Sequence, residues 1–453
     1  MRLRLEIELA RLAGRLSRLA SRGGGTTLPG KLLAAIDPGA IAKLADRLPL
    51  GCALVSATNG KTTTSAMVAE ILGRRVRLAH NRAGANLVSG VASTLVDAQR
   101  ADLGLFEVDE GAFPEIARQT RPRAVCLANL FRDQLDRYGE LELIAERWRL
   151  AVAGLDPAAS VVVNADDPLI ANLARGRANA VRFGLDDRAA ARERLPHAAD
   201  SKYCVDCGTP YAYAAAYVGH LGDYRCPACG NARPALDVRA REIALDGLKG
   251  SSFTLATPAG EARVSLALPG LYNVYNAVAA AALSLTLEAT LDEVVAGLGR
   301  FRAAFGRFER ILIGERTALL LLIKNPAGAN EAVRTLLEGE PPSAALVALN
   351  DEIADGRDVS WIWDVDFEPF AESLERLVVT GSRAHELALR FKYGGLDPAR
   401  IIVEPDLEAA LDRGLALVPA GGELPVLPTY TAMLALRRIA ADRGLVRPYW
   451  EAA

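Results

Sequence analysis

The sequence lacks any long apolar run, carries almost no net charge and contains few histidines. No stretch of 18 consecutive apolar residues occurs among its 453 residues, which predicts that the chain has no membrane-spanning helix. The N-terminal residues Met1–Ala10 are charged throughout, so they lack the apolar core of a signal peptide. A formal net charge of −2 argues against a generic binder of nucleic acid or another polyanion.

Cysteine is also sparse, and most of it is concentrated in one cluster. The chain has six cysteines, of which Cys52 and Cys126 stand alone in apolar runs that are typical of strands. We expect both to be buried thiols. Nothing in this pattern resembles a secreted disulfide scaffold, which indicates a reducing, cytoplasmic compartment.

The clustered cysteines form two C-x-x-C pairs, Cys204 with Cys207 and Cys226 with Cys229, and a glycine follows each pair. Four thiolates at this spacing predict a tetrahedral, closed and therefore structural Zn²⁺ site in an inserted ribbon at 200–235. Two disulfides are the alternative, and a reducing compartment disfavours them. Because little positive charge accompanies the tyrosines of the ribbon, we expect them to pack its core and not to bind nucleic acid.

A phosphate-binding loop is predicted by Ser56–Thr64, which follows an apolar run and precedes a stretch with helical spacing. The loop at Asn59, Gly60 and Thr63 and the N-terminus of the helix would present backbone N–H groups to an anion. Val55 stands where the motif usually has its first glycine, and an ordinary strand–helix turn is the alternative.

Two side chains of this loop carry the predicted chemistry. Lys61 would reach the β- and γ-phosphates of a nucleotide, and the Thr62 hydroxyl would hold Mg²⁺. Since Lys61 lies in a loop, we expect it to be a surface side chain whose replacement leaves the fold intact.

Strand-like and helical segments alternate along most of the chain, which predicts an α/β fold with parallel sheets. The pattern predicts an N-terminal helical segment at 1–50, a central domain at 51–308 and a second α/β domain at 309–453. Residues 1–21 have the pattern of a basic amphipathic helix, which we expect to pack on the protein itself. Loose contact with an anionic membrane surface is the alternative.

Further segments extend the pattern beyond the phosphate-binding loop. They are Phe106–Glu110, Asn129–Gly139, Val162–Pro168, Pro269–Ala277, Phe305–Arg310 and Ala354–Asp364. Together with the loop, the first five resemble the Mur ligases, and the resemblance covers nearly the whole chain. Within that family, the four-cysteine ribbon and the last segment resemble the MurT subunits of lipid II isoglutaminyl synthase.

The resemblance implies a Mur-ligase-like central P-loop domain with a parallel sheet and a C-terminal Rossmann-like α/β domain. It implies that Glu107 holds Mg²⁺ together with Thr62, and that Asn273 and Arg307 contact ATP. A helix cap or a salt bridge is the alternative for each of the last two. Lower-ranked candidates for the metal shell, with solvated or capping carboxylates as the alternative, are Asp109, Glu110 and Asp133.

The sequence departs from the family pattern at several positions. Gln134 stands where many Mur ligases have a histidine that helps bind a second metal, so the resemblance does not imply that second site here. Tyr272 also stands where many have a histidine. Ala159 stands where several relatives have a carbamylated lysine, so we expect the metal bridging to differ from theirs. Lys324–Gly328 resembles the K-N-P-x-G element of MurT and not the D-x-K-x-T-N-P of relatives that add an amino acid.

The activity that the resemblance implies is an ATP-dependent amidation in peptidoglycan synthesis. The α-carboxylate of D-glutamate in the lipid II stem peptide would be activated as an acyl phosphate and converted to D-isoglutamine. One alternative is a stand-alone Mur or folylpolyglutamate-type ligase that adds an amino acid. Another is a non-catalytic zinc-ribbon binding module, against which the intact Gly60–Thr62 and Glu107 argue.

Ammonia for such a reaction is usually made by a cysteine activated beside a histidine, and the chain offers no convincing pair. Its histidines stand in no such motif; they are His80, His197, His220 and His385. The resemblance implies that the glutaminase is a separate partner, the class I glutamine amidotransferase subunit GatD, in a heterodimer.

The resemblance also implies that this chain lends the acid of the partner's Cys-His-acid triad. Asp355 is the first candidate and Asp358 the second, with a turn or a cap as the alternative role. Trp361 and Trp363 are predicted to share one face of a strand, either in the core or at the partner interface.

Overall fold

The described part of the computed structural model comprises residues 7, 8, 10–12, 27–81, 85–98, 100–133, 140–192, 195, 196, 199–302 and 307–446. Its strands form a nine-stranded sheet, a six-stranded sheet and a separate two-stranded hairpin. This is the α/β architecture that the alternating segments predict. Gln134 and His197 lie outside the described residues.

Strands and helices alternate through both large sheets. The strands are β1 (Cys52–Ser56), β2 (Leu78–His80), β3 (Leu103–Val108), β4 (Ala124–Leu127), β5 (Ser160–Asn164), β6 (Ala180–Leu185), β7 (Ala212–Val218), β8 (Leu221–Arg225), β9 (Val238–Leu245), β10 (Ser251–Thr257), β11 (Gly260–Leu266), β12 (Arg307–Ile313), β13 (Arg316–Leu321), β14 (Ala344–Ala348), β15 (Arg376–Thr380), β16 (Ile401–Val403) and β17 (Glu423–Pro428). The helices are α1 (Leu28–Ile36), α2 (Ala40–Ala45), α3 (Lys61–Leu72), α4 (Val88–Asp97), α5 (Phe113–Thr120), α6 (Leu141–Ala153), α7 (Pro168–Leu173), α8 (Leu271–Thr286), α9 (Leu291–Arg300), α10 (Pro326–Leu337), α11 (Glu368–Ser373), α12 (Ala384–Tyr393), α13 (Leu407–Ala416) and α14 (Tyr430–Asp442).

The nine-stranded central sheet has the order β11-β10-β9-β6-β5-β4-β1-β3-β2. Strands from β2 across to β9 pair in parallel, and β9, β10 and β11 pair antiparallel. Since β1, β3 and β4 are parallel neighbours, their carboxyl ends lie side by side at one edge, where α/β proteins bind ligands. The predicted phosphate-binding loop, Glu107 and Asp133 are all at this edge.

Helices cover both faces of the central sheet, which explains why its strands are continuous apolar runs. Ala53 and Val55 of β1 face a core that contains residues of α3, α8 and α9. Cys52 and Leu54 face the opposite core, to which α1, α2, α4, α5 and α6 contribute.

The N-terminal segment joins this second core. Residues 7, 8 and 10–12 are helical, and Ile7 and Ala10 are buried with residues of α1 and α2, as expected for a helix that packs on the protein itself. Among the described residues, no helix is both long and apolar enough to cross a membrane.

The six-stranded C-terminal sheet has the order β12-β13-β17-β14-β15-β16, in which only β12 and β13 pair antiparallel. The carboxyl ends of β13, β17 and β14 are therefore neighbours at one edge. β13 and β17 lead into Lys324 and Thr429, and Asp355 lies in the loop that follows β14. This edge carries the C-terminal domain's contribution to the candidate site.

The predicted strand at Trp361 and Trp363 is wrong, because Ser360–Asp364 forms a 3₁₀ turn. Asp358 Oδ1 accepts a hydrogen bond from the Ser360 backbone N–H at 2.8 Å, which favours a turn over an extended chain. The two rings therefore share no strand face. Trp361 packs partly against the core, and Trp363 is 51% exposed beside the ring of Tyr393.

The ribbon is built on the β7–β8 hairpin and has a small core of its own. Tyr211 and Tyr224 pack with Cys204 and Cys226, as predicted for its tyrosines. Tyr217 differs, because it joins the core of the central domain and ties the hairpin to it.

Candidate functional site

The phosphate-binding loop connects β1 to α3 through a position that only glycine fits. Gly60 has φ of 86°, in the left-handed region. A Cβ at this position would lie 2.0 Å from Oδ1 of Asn276, a residue of α8. The Thr64 hydroxyl donates to the same oxygen at 3.3 Å, so α8 packs directly against the loop.

Lys61 is buried and paired, so the prediction of a surface lysine is wrong. Its Nζ donates to the carbonyl of Ala57 at 2.9 Å and to Oε2 of Glu110 at 2.8 Å. Burial by itself would lower the pKa of Lys61, but the carboxylates of Glu110, Asp109 and Glu107 outweigh burial and raise it. The same pairing holds the pKa of Glu110 below its usual range despite burial.

Thr62 and Glu107 bring two oxygen atoms together at the start of α3. The Thr62 hydroxyl donates to Glu107 Oε1 at 2.8 Å. Asn81 fixes the Glu107 backbone, since its amide donates to the Glu107 carbonyl at 2.7 Å and its oxygen accepts from the Glu107 N–H at 2.8 Å. Hydroxyl and carboxylate oxygens are the ligands that Mg²⁺ prefers, so this pair fits the ion.

Asp133 adds a further carboxylate, which Lys324 approaches from the C-terminal domain. The Lys324 ammonium contacts Asp133 Oδ2, while Oδ1 is buried with no hydrogen-bond partner among the described residues. Burial raises the pKa of Asp133, and Lys324 opposes that rise. A buried oxygen without a donor suits a cation, which keeps Asp133 a candidate for the metal shell.

The two domains meet at the phosphate-binding loop. Lys324 Nζ also donates to the carbonyl of Thr58 at 3.1 Å. Asn325 caps α10 by accepting from the Gly328 N–H at 2.9 Å, and its amide donates to Asn59 Oδ1 at 3.1 Å. Thus Asn59, predicted to bind nucleotide, also carries a contact between the domains.

A cavity opens between the two domains beside this contact. Residues from the loop, from α8 and from α10 all line it, and they include Asn59, Gly60, Thr63, Tyr272, Asn273 and Gly328. Its remaining walls are mostly apolar and come from the ribbon hairpin, α8, β12 and β13. An anion-binding loop at one end and apolar walls at the other match the two ends of a nucleotide.

Asn273 is buried in the first turn of α8 and lines the cavity. Its amide donates to the Pro269 carbonyl at 2.8 Å, and its oxygen accepts from Asn276 Nδ2 at 3.1 Å. These bonds shape the helix start and leave the contact with ATP a prediction. Arg307 begins β12, and its side chain lies outside what the structure describes.

Asp355 lies at the carboxyl edge of the C-terminal sheet and is only 6% exposed. Its Oδ1 accepts from the Thr431 backbone N–H at 2.8 Å, and its Oδ2 accepts from the Thr431 hydroxyl, so it caps α14. Burial raises its pKa against these hydrogen bonds. Asp358 is exposed and caps the 3₁₀ turn, so both acids have the local roles that were the alternatives to catalysis.

Neither lone cysteine has the surroundings of a nucleophile. Burial raises the pKa of Cys52 to about 12 and that of Cys126 to about 12, so both stay neutral thiols. His220 is fully buried at the tip of the ribbon hairpin, 4.8 Å from the ring of Phe131 and 3.3 Å from an Asp167 oxygen. All three are core positions, as the sequence predicts for the two cysteines.

The four ribbon cysteines converge with the geometry of a metal site. Their sulfur atoms all lie within 4.8 Å of one another, and the Cys204–Cys229 and Cys207–Cys226 sulfurs are each 3.5 Å apart. Tetrahedral Zn²⁺ with bonds of about 2.3 Å would space its sulfurs by about 3.8 Å. A disulfide needs only about 2 Å, so these residues fit Zn²⁺ better than two disulfides.

Comparison with known proteins identifies the family. The Mur ligase middle domain matches residues 55–224, and the MurT ligase C-terminal domain matches residues 322–433. The MurT subunit of lipid II isoglutaminyl synthase (glutamine-hydrolyzing) from Streptococcus pneumoniae is 33% identical over 98% of this chain and 99% of its own. The chain belongs to the MurT family of Mur ligases. The Staphylococcus aureus MurT subunit is 31% identical over 94% of this chain and 95% of its own.

Solved structures support the same fold. A pseudomurein peptide ligase type C from Methanothermus fervidus has a TM-score of 0.70 and 21% identity, covering 88% of this chain and 80% of its own. MurF from Acinetobacter baumannii has a TM-score of 0.65 and 19% identity, covering 89% and 79%. At these identities the likeness shows the fold alone, which is the Mur-ligase-like architecture predicted from the motifs.

Two residues of the site had no predicted role. Lys324 and Asn325 were recognised only as part of a K-N-P-x-G element, yet they carry the contact of the C-terminal domain with the phosphate-binding loop. A lysine and an asparagine next to a proline that starts a helix are the signal that could have indicated a helix N-terminus at a ligand site.

Zinc content is the first testable property of the site. We expect one Zn²⁺ per chain by elemental analysis, and Cys226→Ser should lose the metal and destabilise the ribbon, because binding and local folding are coupled. Cys52→Ala, which removes a buried thiol outside the ribbon, should keep the metal. A metal-free protein with two disulfides by mass spectrometry would contradict the assignment.

Lys61 allows its role in binding to be separated from its role in stability. Lys61→Ala should abolish ATP hydrolysis, and it should destabilise the protein by about 3–5 kcal/mol because Glu110 is left buried and unpaired. The double variant Lys61→Ala/Glu110→Gln should recover much of the thermal stability and none of the hydrolysis. Near-normal hydrolysis by the double variant would refute the phosphate-binding role.

Proposed function

We propose that this chain is the ATP-dependent synthetase subunit of a lipid II isoglutaminyl synthase in peptidoglycan synthesis. It would activate the α-carboxylate of D-glutamate in the lipid II stem peptide for amidation to D-isoglutamine. The observation that carries this proposal is the full-length likeness to MurT subunits, combined with Lys61, Thr62 and Glu107 beside an interdomain cavity. We place the protein in the cytoplasm. Because lipid II lies in the membrane, we expect the protein to act at the inner face of the membrane.

The reaction needs a carboxylate oxygen to become a leaving group. Attack of that oxygen on the γ-phosphorus of ATP breaks the bond to ADP and gives an acyl phosphate, whose carbonyl carbon ammonia then attacks with release of phosphate. Lys61 would hold a positive charge against the phosphates, and Lys324 would bring a second one from the C-terminal domain. Bound Mg²⁺ would supply neutralisation of the phosphate charge, held by Thr62 and Glu107.

The ammonia would come from a partner, the class I glutamine amidotransferase subunit GatD. The two lone cysteines support this division, because their thiols are buried and neutral. We propose that Asp355 lends its charge to the partner's histidine across the interface, with Asp358 as the second choice. For Asp355 to act, the partner must reach a carboxylate that already accepts two hydrogen bonds from Thr431.

The separation of the two activities can be tested on the chain alone. The purified chain should release no ammonia from glutamine, since it lacks the nucleophile. With lipid II, ATP and ammonium chloride it should still form the amide, detected by mass spectrometry of the lipid. Glutamine hydrolysis by the chain alone would refute the subunit assignment.

Asp355 can be tested in the complex with the glutaminase. Asp355→Asn should sharply lower glutamine-dependent amidation and spare ammonium-dependent amidation, because the ATP site lies elsewhere. The loss of a triad acid costs roughly 10⁴-fold in a serine protease, and a smaller loss is expected for an acid that assists across an interface.

Two further variants separate charge from capping. Thr431→Val keeps the Asp355 carboxylate but removes the hydroxyl that it accepts from, so it should retain more glutamine-dependent activity than Asp355→Asn. Asp358→Asn tests the second choice and should retain full activity if Asp355 is the acid; a loss of glutamine-dependent activity in Asp358→Asn alone would move the role to Asp358. Equal loss of both activities in Asp355→Asn would make Asp355 a structural cap only.

A further inference from the structure

One charged side chain in the interdomain cavity has no part in the proposed phosphate chemistry. Glu331 lies on α10 and lines the cavity, and only 4% of it is exposed. Carboxylates are rarely buried so deeply unless they are paired or bind something.

Among the described residues, only one oxygen of Glu331 accepts a hydrogen bond. Oε1 accepts from Nη2 of Arg192, whose backbone N–H is itself bonded to the Ala216 carbonyl of the ribbon hairpin. Nη1 of Arg334 lies 3.9 Å from Oε2, and no described residue donates a hydrogen bond to Oε2. Arg192 thus orients the carboxylate and leaves one oxygen able to accept from a ligand.

The direction of α10 shows which part of a nucleotide would reach Glu331. The helix begins at Asn325, which contacts Asn59 of the phosphate-binding loop. Gly328 and Glu331 follow at intervals of three residues on the side that lines the cavity. At 1.5 Å per residue, Glu331 lies about 9 Å along the axis from the contact with the loop. The sugar is the part of a nucleotide that comes next after the phosphates.

The surrounding walls distinguish the sugar from the base. Apolar residues line the rest of the cavity, and they include Val218, Leu221, Leu268, Phe308 and Leu321. Such walls suit the flat faces of a base. Ribose hydroxyls are hydrogen-bond donors, and a carboxylate accepts only, which is the pairing that dinucleotide-binding folds use for ribose.

We propose that Glu331 accepts a hydrogen bond from a ribose hydroxyl of the bound nucleotide and so makes the site selective for ribonucleotides over deoxyribonucleotides. Arg192 is a positioning residue that holds the carboxylate toward the sugar. This inference rests on the proposed ATP site. It adds that the C-terminal domain recognises the ribose of ATP.

The first test uses the unchanged protein. Isothermal titration in the presence of Mg²⁺ would compare ATP with 2′-deoxy-ATP and 3′-deoxy-ATP. A hydrogen bond to a charged group predicts that at least one deoxy analogue binds tenfold or more weakly. Equal affinity for all three nucleotides would overturn the inference while leaving the ATP site intact. If ATP itself does not bind, the proposed function fails as well.

The second test assigns the selectivity to the residue. Glu331→Ala should lose most of the preference for ATP and bind the deoxy analogue about as well as the unchanged protein does. Glu338→Ala is the matched control, because Glu338 also pairs with Arg334, at 2.9 Å, but does not line the cavity. It should keep the preference. Persistence of the preference in Glu331→Ala would make Glu331 only a partner of Arg192. Loss of the preference in Glu338→Ala would show that any change around Arg334 removes it, and would also overturn the assignment to Glu331. Should Glu331→Ala not fold, Glu331→Met offers the same comparison, because its side chain is close in size and lacks a strong hydrogen-bond acceptor.

Discussion

The candidate site depends on one buried ion pair, between Lys61 at the start of α3 and Glu110 just after β3. A buried lysine and a buried carboxylate are each costly alone, so the pair constrains the two loops to stay together. Trp148 of α6 reinforces this, because its indole N–H donates to the Glu110 carbonyl at 2.9 Å. Asp133, in the segment after β4, is close enough to interact electrostatically with both groups. A positive charge is thereby held where the phosphates of a nucleotide would lie.

The C-terminal domain completes what the central domain begins. Lys324 and Asn325 bind the phosphate-binding loop, and Arg334 donates to the Tyr217 carbonyl of the ribbon hairpin at 3.0 Å. The ribbon therefore contacts both domains of the protein. It also forms one wall of the cavity, so the four-cysteine cluster belongs to an element that lines the candidate nucleotide site.

Local chemistry was predictable from the sequence, and distant pairing was not. The loop around Gly60 and the four cysteines are each encoded within short spacings, and the structure brings their members together as predicted. The partner of Lys61 lies 49 residues away, and the contact of Lys324 with Thr58 spans 266 residues. The hydrophobic pattern of the sequence does not indicate contacts between residues so far apart in the chain. The error at Trp361 had a local cause, because an acidic cap converted a strand-like pattern into a turn.

The most direct test of the central proposal follows the oxygen atoms of the substrate. Lipid II labelled with ¹⁸O in the α-carboxylate of D-glutamate would be amidated with ATP and ammonium chloride, and the released phosphate would be analysed by mass spectrometry. An acyl-phosphate route predicts that one labelled oxygen passes from the carboxylate to the phosphate. Amide formation with unlabelled phosphate would contradict it.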